Sequence, residues 1–411
     1  MAHALRDHGA HEVFGLPGEH SRPVYLEVPR DLVNTPCAPV QRLPPTPWAP
    51  AAAAACAEDI MARLNSAERA VILVDVEVRR FGLEAQVAEL AHRLGLPCAT
   101  TFLGAGLMAD HRDLMHGTYL GAAGDSAVTA LIEDADVVLG LGLIPSDTNL
   151  GIATSSFDWR RVIDVAERRV SIGYCVYENV PLAAVVEGLL AVTKRTHNAP
   201  RATPRPIAPP IGPPAEPVAP VRPSDIIAAV ESLRSHHPLP ITVDVGDCLF
   251  AAVDLAPGPL IAAGYYAAMG MASPAALGIQ ASTGQRALAL VGDGAFHMTG
   301  SELIGATRSG WDPIVIVFNN AEWTMLRTFA EASPIYSLPA VDFAALARSM
   351  GGDGYVVTRG DELAATLATA HATRGRFQLI DVRLAPGVVS ARLDRFAGAF
   401  SRTRDTANAT A

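Results

Sequence analysis

Residues 289–320 read ALVGDGAFHMTGSELIGATRSGWDPIVIVFNN. An apolar run predicts a strand that delivers Gly292-Asp293-Gly294 at its carboxyl end. A helix follows, for which Thr299-Gly-Ser-Glu302 reads as a capping box. A second apolar strand then delivers Asn319-Asn320. Both motifs therefore emerge at the carboxyl edge of one parallel sheet, where open α/β folds bind ligands. Glycines on both sides of Asp293 let the backbone approach a phosphate closely, while a carboxylate and an asparagine amide oxygen are hard ligands suited to magnesium. Taken alone, the same residues also fit a plain strand-to-helix turn followed by an ordinary asparagine pair.

Working outward, Pro240 to Val245, Ala287 to Val291, Pro313 to Phe318 and Phe377 to Val382 read as strands, and Leu363 to Thr373 as a helix. Further upstream, the β-branched runs Arg69 to Asp75 and Asp136 to Gly142 alternate with a helical pattern over Leu83 to Leu94. The fold class this predicts is α/β, with two parallel, helix-covered sheets. Two proline clusters separate the blocks: six prolines lie in residues 36–50, and ten of the chain's 31 lie in residues 200–223. Such density disfavours helix and sheet and favours extended spacers. The expected organisation is a short leader (1–35), a linker (36–50), a central domain (51–195), a second linker (196–223) and a carboxy-terminal domain (224–411). At about 150 residues per domain, 411 residues suit two to three domains.

Half of the residues are apolar and 18% are charged, which excludes disorder for most of the chain. Acidic residues outnumber basic ones 42 to 32 with no long run of either sign. That argues against a nucleic-acid or anionic-membrane partner. Residues 262–281 (AAGYYAAMGMASPAALGIQA) have the length of a membrane span, yet they hold three glycines, a proline, two tyrosines and a glutamine. They read as a buried turn and helix. The amino terminus lacks the apolar core of a signal peptide. The five cysteines form no CxxC pair, which suits reduced thiols in a cytoplasm.

The strand-GDG-helix-strand-NN arrangement resembles the thiamine diphosphate signature of the pyruvate-decarboxylase superfamily, with Asp293 and Asn320 at the separation that signature expects. Gly246-Asp247-Cys248-Leu249-Phe250 is similar to the family's diphosphate loop, and Gly264 to Gly270 to the stretch that supports the cofactor. Asn319 to Phe329, Gly351-Gly-Asp-Gly354 and Leu141 to Gly151 are similar to the phenylpyruvate and indolepyruvate decarboxylases in particular. The resemblance covers nearly all of residues 21 to 400, linkers excepted. It implies that thiamine diphosphate and magnesium are the cofactors. Asp293, the Asn320 side chain and the Glu322 carbonyl would hold the metal; the family usually has a small residue at that last position. Gly246, Asp247, Cys248, Gly294 and Ala295 would hold the diphosphate through backbone amides and short side chains. Met269, beside Gly270, would prop the bent cofactor, although core filling explains a methionine equally well.

The implied reaction is non-oxidative decarboxylation of an aromatic 2-oxo acid, a small molecule. In this family the cofactor's C2 carbanion attacks the ketone, carbon dioxide leaves, and the thiazolium stores the electron pair until a proton arrives. Where pyruvate decarboxylases carry a catalytic glutamate this chain has Leu326, as the aryl-pyruvate subgroup does. With Phe329, Phe396 and Phe400 it suggests an apolar pocket, or else these are simply core residues. Asp147 would approach the substrate from the central domain, unless Asp-Thr-Asn is only a loop turn.

The leader departs from the family. His8 to Glu19 resembles the opening helix and strand of the pyrimidine-binding domain, with Glu19 at the position of a catalytic aspartate, and Ser21 to Asp31 resembles that domain's final strand. A domain of this kind occupies on the order of 150 residues, and about 35 are present. The absent stretch would carry the glutamate that activates the cofactor and a histidine pair that His236-His237 cannot replace. Two functions are therefore expected: a decarboxylase whose site a second subunit or partner chain completes, or a silent fragment that still holds metal and diphosphate. Losing most of one domain should also expose apolar surface on the others. A dinucleotide-binding central block is the weaker alternative, since its first strand runs on as Asp75-Val-Glu-Val-Arg-Arg without GxGxxG.

Overall fold

Short apolar runs become the central strands, buried on both faces as parallel sheets require, and partly exposed segments become the edge strands. In the first sheet these are β1 (Ala70–Val74), β2 (Cys98–Thr100), β3 (Met115–Thr118), β4 (Val137–Leu141), β5 (Val162–Ala166), β6 (Arg169–Ile172) and β7 (Cys175–Glu178), in the order β3-β2-β1-β4-β5-β6-β7. The second sheet holds β8 (Ile241–Val243), β9 (Leu260–Ala262), β10 (Leu288–Gly292), β11 (Ile314–Asn319), β12 (Asp353–Val357) and β13 (Gln378–Arg383), in the order β12-β13-β11-β10-β8-β9. The structure, a computed structural model, describes residues 47–151, 158–193, 220–256, 258–264, 266–329 and 333–410, with side chains to residue 402. The leader with Glu19, most of both proline clusters, Cys37 and Tyr265 lie outside those residues.

Both sheets are parallel except at one edge. β6 pairs antiparallel with β5 and with β7. The cause is loop length: Glu167-Arg168 and Gly173-Tyr174 are two-residue links with Arg168 at φ 63° and Gly173 at φ 60°. A link that short turns the chain straight back and leaves no room for a crossover helix.

The expected strands around 69–75, 136–142, 240–245, 287–291, 313–318 and 377–382 all form, as do the helices Glu84–Leu94 and Leu363–Ala372. Residues 262–281 leave β9, turn, and enter the helix Ala272–Thr283. No described helix is long and apolar enough to cross a membrane. One local expectation fails. Thr299 caps no helix: it ends the helix Asp293–Thr299, and a 3-10 turn, Gly300–Leu303, leads into the helix Ile304–Ser309. Its hydroxyl instead donates to the Gly270 carbonyl at 2.5 Å. A nearby acceptor in another loop outcompetes the local cap.

The two sheets share a core across their boundary. Phe102 of the first domain packs on Phe250 of the second with ring centroids 5.1 Å apart, and Phe250 packs on Phe396 at 4.9 Å. Arg395 donates twice to the Ala123 carbonyl, at 3.1 and 3.3 Å, and Arg79 donates to Leu260 and Gly106 carbonyls at 2.9 and 3.0 Å. Because Phe250 fills both domains, Phe250→Ala should cost about 3–5 kcal/mol in chemical denaturation and lower both domains together. Loss of one domain's signal ahead of the other's in the unsubstituted protein would contradict a shared core.

Candidate active site

In the second sheet the chain leaves β8 toward β9 on one side, then returns to place β10, β11 and β13 on the other. The strand order thus reverses between β8 and β10, and the crevice beyond such a switch point is the favoured ligand position in this architecture. Gly246 follows β8, Asp293 follows β10, and Asn320 follows β11, so three adjacent strands bring the motif residues to one edge.

Asp293 is 4% exposed. One carboxylate oxygen accepts from the Gly294 amide at 2.7 Å, and the other accepts from the amides of Asn320 at 3.1 Å and Ala321 at 2.6 Å. Ala321 reaches this position only at φ 55°, a left-handed conformation that costs a non-glycine residue roughly 1 kcal/mol. Burial raises the Asp293 pKa above the usual carboxylate range, and the four surrounding amides of residues 294, 320, 321 and 322 oppose that rise without cancelling it. Asn320 is buried; its amide oxygen accepts from the Glu322 amide at 3.1 Å and its nitrogen donates to the Thr324 hydroxyl at 2.5 Å. The strand-like pairing of residues 321–323 with 336–338 fixes the loop, through Trp323 N to Tyr336 O at 2.7 Å and Leu338 N to Ala321 O at 2.8 Å. The Trp323 ring then lies so close over Gly294 that any side chain there would collide with it.

On the β8 side, Gly246 caps the helix Asp247–Ala252 at φ 104°, ψ −156°, a conformation for glycine, with open space where a Cβ would stand. Gly292 faces open space too. The short side chains of this loop point elsewhere. Both carboxylate oxygens of Asp247 accept from the Ser390 amide, at 3.0 and 3.1 Å, and the Cys248 thiol donates to the Asp244 carbonyl at 3.0 Å. Burial pushes the Asp247 carboxyl up and the Cys248 thiol far up, so the thiol is neutral. What remains for an anion is the first-turn amides of Cys248 and Ala295; contrary to expectation the Gly294 amide is taken by the Asp293 carboxylate, and those of Leu249 and Phe250 bond the Gly246 carbonyl.

Met269 is 43% exposed beside this edge, so it does not fill the core. Its loop is held by Asp244, a residue the sequence reading passed over: its carboxylate accepts from the amides of Val245, Gly270 and Ala272 at 3.1, 2.9 and 2.9 Å. The only sequence signal for it is an apolar strand that ends in aspartate, ITVD244.

Phe329 meets Phe396 and Phe400 edge-on, at 5.9 and 5.2 Å. Phe396 is 2% exposed and belongs to the interdomain core, whereas Leu326 projects into solvent at 55%. Asp147 is exposed and its carboxylate accepts from the amide and hydroxyl of Thr148, and among the described residues it makes no hydrogen bond or ion pair to the 293–322 loop. Two positions away, Asn149 is buried against Asp75, donating at 2.7 Å, while Ile144 N donates to the same oxygen at 2.8 Å. This network fills the β1/β4 switch point where a dinucleotide would lie. A cleft of 1160 Å³ opens between the domains, lined by Gly106, His116, Arg222, Arg234 and Arg395; Gly387 and Ser390, which line it too, bond Glu322 and Asp247 of the sheet-edge site. Among the described residues no three His, Cys, Asp or Glu side chains gather as a metal cluster.

Comparison with known proteins agrees with this geometry. Residues 244–382 match the family described as thiamine pyrophosphate enzyme, C-terminal TPP binding domain, and residues 57–192 match thiamine pyrophosphate enzyme, central domain. The chain is 48% identical to an indole-3-pyruvate decarboxylase of Azospirillum brasilense over 93% of its own length and 71% of the relative's. It is 27% identical to an alpha-keto-acid decarboxylase of Mycobacterium tuberculosis over 89% of this chain and 67% of that one. A pyruvate decarboxylase of Candida glabrata is 23% identical over 88% of this chain and 67% of its own. With both family domains matched and a relative this similar along most of its length, the chain belongs to the thiamine pyrophosphate-dependent 2-oxo acid decarboxylases.

Proposed function

We propose that this chain holds thiamine diphosphate through magnesium at the β8/β10/β11 edge and serves the non-oxidative decarboxylation of an aromatic 2-oxo acid, phenylpyruvate or indolepyruvate. The observation that carries the reading is Asp293, a buried carboxylate placed at the switch point by amides from the end of the next strand. The donor set fits the group. One carboxylate, one amide oxygen and the Glu322 carbonyl are few and hard, which suits a magnesium ion that completes its shell with phosphate oxygens and water. The open faces of Gly246 and Gly292 leave space for those phosphates.

When bound, the cofactor supplies the carbanion and the electron sink for loss of carbon dioxide. The protein residues bind and orient. Asp293 and Asn320 anchor the metal, the first-turn amides of Cys248 and Ala295 meet the diphosphate, and Asp244 holds the loop that presents Met269. Leu326 replaces a titratable group with an apolar one and Phe329 adds a ring beside it, which favours an aromatic side chain over a small polar one. The resemblance brings Asp147 to the substrate end and puts Glu19 at the position of a catalytic aspartate. Exposed Tyr266, Met269, Met298, Leu326 and Ile335 suit a covering pyrimidine-binding domain, contributed by another polypeptide that carries one whole. The cytoplasm is the compartment that suits its free thiols.

A second reading, binding without turnover, rests on the sequence between Glu19 and Ser21, where the stretch resembling a pyrimidine-binding domain is cut short. Carbon dioxide release from phenylpyruvate and indolepyruvate by the purified chain separates the two readings. For the site itself, Asp293→Ala should abolish magnesium-dependent cofactor retention while leaving the circular dichroism spectrum intact. Unchanged binding would remove the assignment.

The raised Asp293 pKa gives this site a pH dependence. The folded, metal-free chain keeps the proton to higher pH than the unfolded chain does, so its contribution to stability falls as pH rises through that window. Metal needs the carboxylate, so the gain in thermal midpoint from magnesium plus cofactor should grow from about pH 4 toward neutrality. A gain that is flat with pH would contradict a titrating ligand.

A further inference from the structure

The family's small residue in the metal loop is replaced here by Glu322, whose main-chain carbonyl alone has a role in the reading above. Its side chain is nevertheless only 12% exposed. A carboxylate is costly to bury unless its oxygens are paired, and both oxygens are. Arg327 Nε lies 2.9 Å from Oε1, an ion pair by distance rather than an aligned hydrogen bond. Oε2 accepts from the Gly387 amide at 3.2 Å, with the Thr324 hydroxyl at 3.5 Å. Gly387 stands at φ 81°, and a Cβ there would come within 2.6 Å of Arg327 Nη2, so the arginine packs directly on the glycine.

Gly387 lies in a strap that runs from the end of β13 to the helix Ala391–Thr410. The strap meets the site at three points. Leu384 N donates to Asn319 O at 2.8 Å, Gly387 N to Glu322, and Ser390 N to both oxygens of Asp247. It is thereby tied to the metal loop at one end and to the diphosphate loop at the other, and it leads into the helix bearing Phe396 and Phe400.

We propose that Glu322 is a positioning residue: its carboxylate, clamped between Arg327 and the Gly387 amide, fixes the carbonyl of the metal loop and couples occupancy of the cofactor site to the order of the 384–390 strap. The inference rests on the metal and diphosphate reading above. It goes beyond that reading in giving a role to the side chain, which is not among the metal donors named there.

The test compares the full chain with Glu322→Ala and Glu322→Gln, titrating thiamine diphosphate in excess magnesium while following Trp323 fluorescence and amide hydrogen exchange of residues 384–400. In the unsubstituted chain, cofactor should slow exchange across the strap. Glu322→Ala should weaken cofactor binding roughly tenfold or more, as removal of an outer-sphere partner of a metal ligand does, and should leave strap exchange fast with and without cofactor. Glu322→Gln keeps an acceptor for Gly387, so it should restore much of the strap's response while lacking the ion pair. If Glu322→Ala binds as tightly as the parent, or its strap still responds to cofactor, the inference is wrong. No binding by the parent chain would instead remove the cofactor reading and the coupling with it.

Discussion

Buried aspartates at the carboxyl ends of strands, satisfied by main-chain amides of neighbouring loops, hold this protein's functional edge together. Asp293 after β10 gathers Gly294, Asn320 and Ala321; Asp244 after β8 gathers Val245, Gly270 and Ala272; Asp75 after β1 gathers Val76, Ile144 and the Asn149 side chain. In each case burial raises the carboxyl pKa and the donors oppose it. An unpaired carboxylate in such a place would be untenable, so each strand end dictates where the next loop must run. The two sheets use the device to opposite ends. Asp75 closes its crevice with Asn149, whereas Gly246 and Gly292 leave the crevice beside Asp293 open.

That difference explains which parts of the molecule were legible in the sequence. Runs such as IVIVFN and AVILV announce buried parallel strands by composition, and the glycines around Asp293 announce an edge that approaches a ligand. The pair of antiparallel edge strands was not legible, because RVSI and CVYE are short and half polar and their direction is set by two-residue turns. Thr299 shows a different limit: its local pattern is a valid cap, and a carbonyl 29 residues away, at Gly270, wins its hydroxyl.

The site was legible in its motif residues and not in what supports them. Asp293, Asn320 and Gly246 meet at one edge as the spacing anticipates. Nothing local in Asp247 indicates that its carboxylate faces Ser390, or in Cys248 that its thiol turns to Asp244, since those partners come from distant sequence or from the preceding strand end. The three phenylalanines do form one cluster, yet Phe396 is committed to the interdomain core through Phe250 while Leu326 stays in solvent. Asp147 sits on the buried Asp75–Asn149 network, a rigid base for an exposed carboxylate.

The central claim is that Asp293 and Asn320 form a divalent-cation site through which this chain holds a diphosphate. Isothermal titration of thiamine diphosphate into the purified chain, once with magnesium and once with the metal chelated, tests it most directly. The account predicts saturable binding at one site per chain that disappears when the metal is removed. Equal heats in both conditions, or none in either, would contradict it.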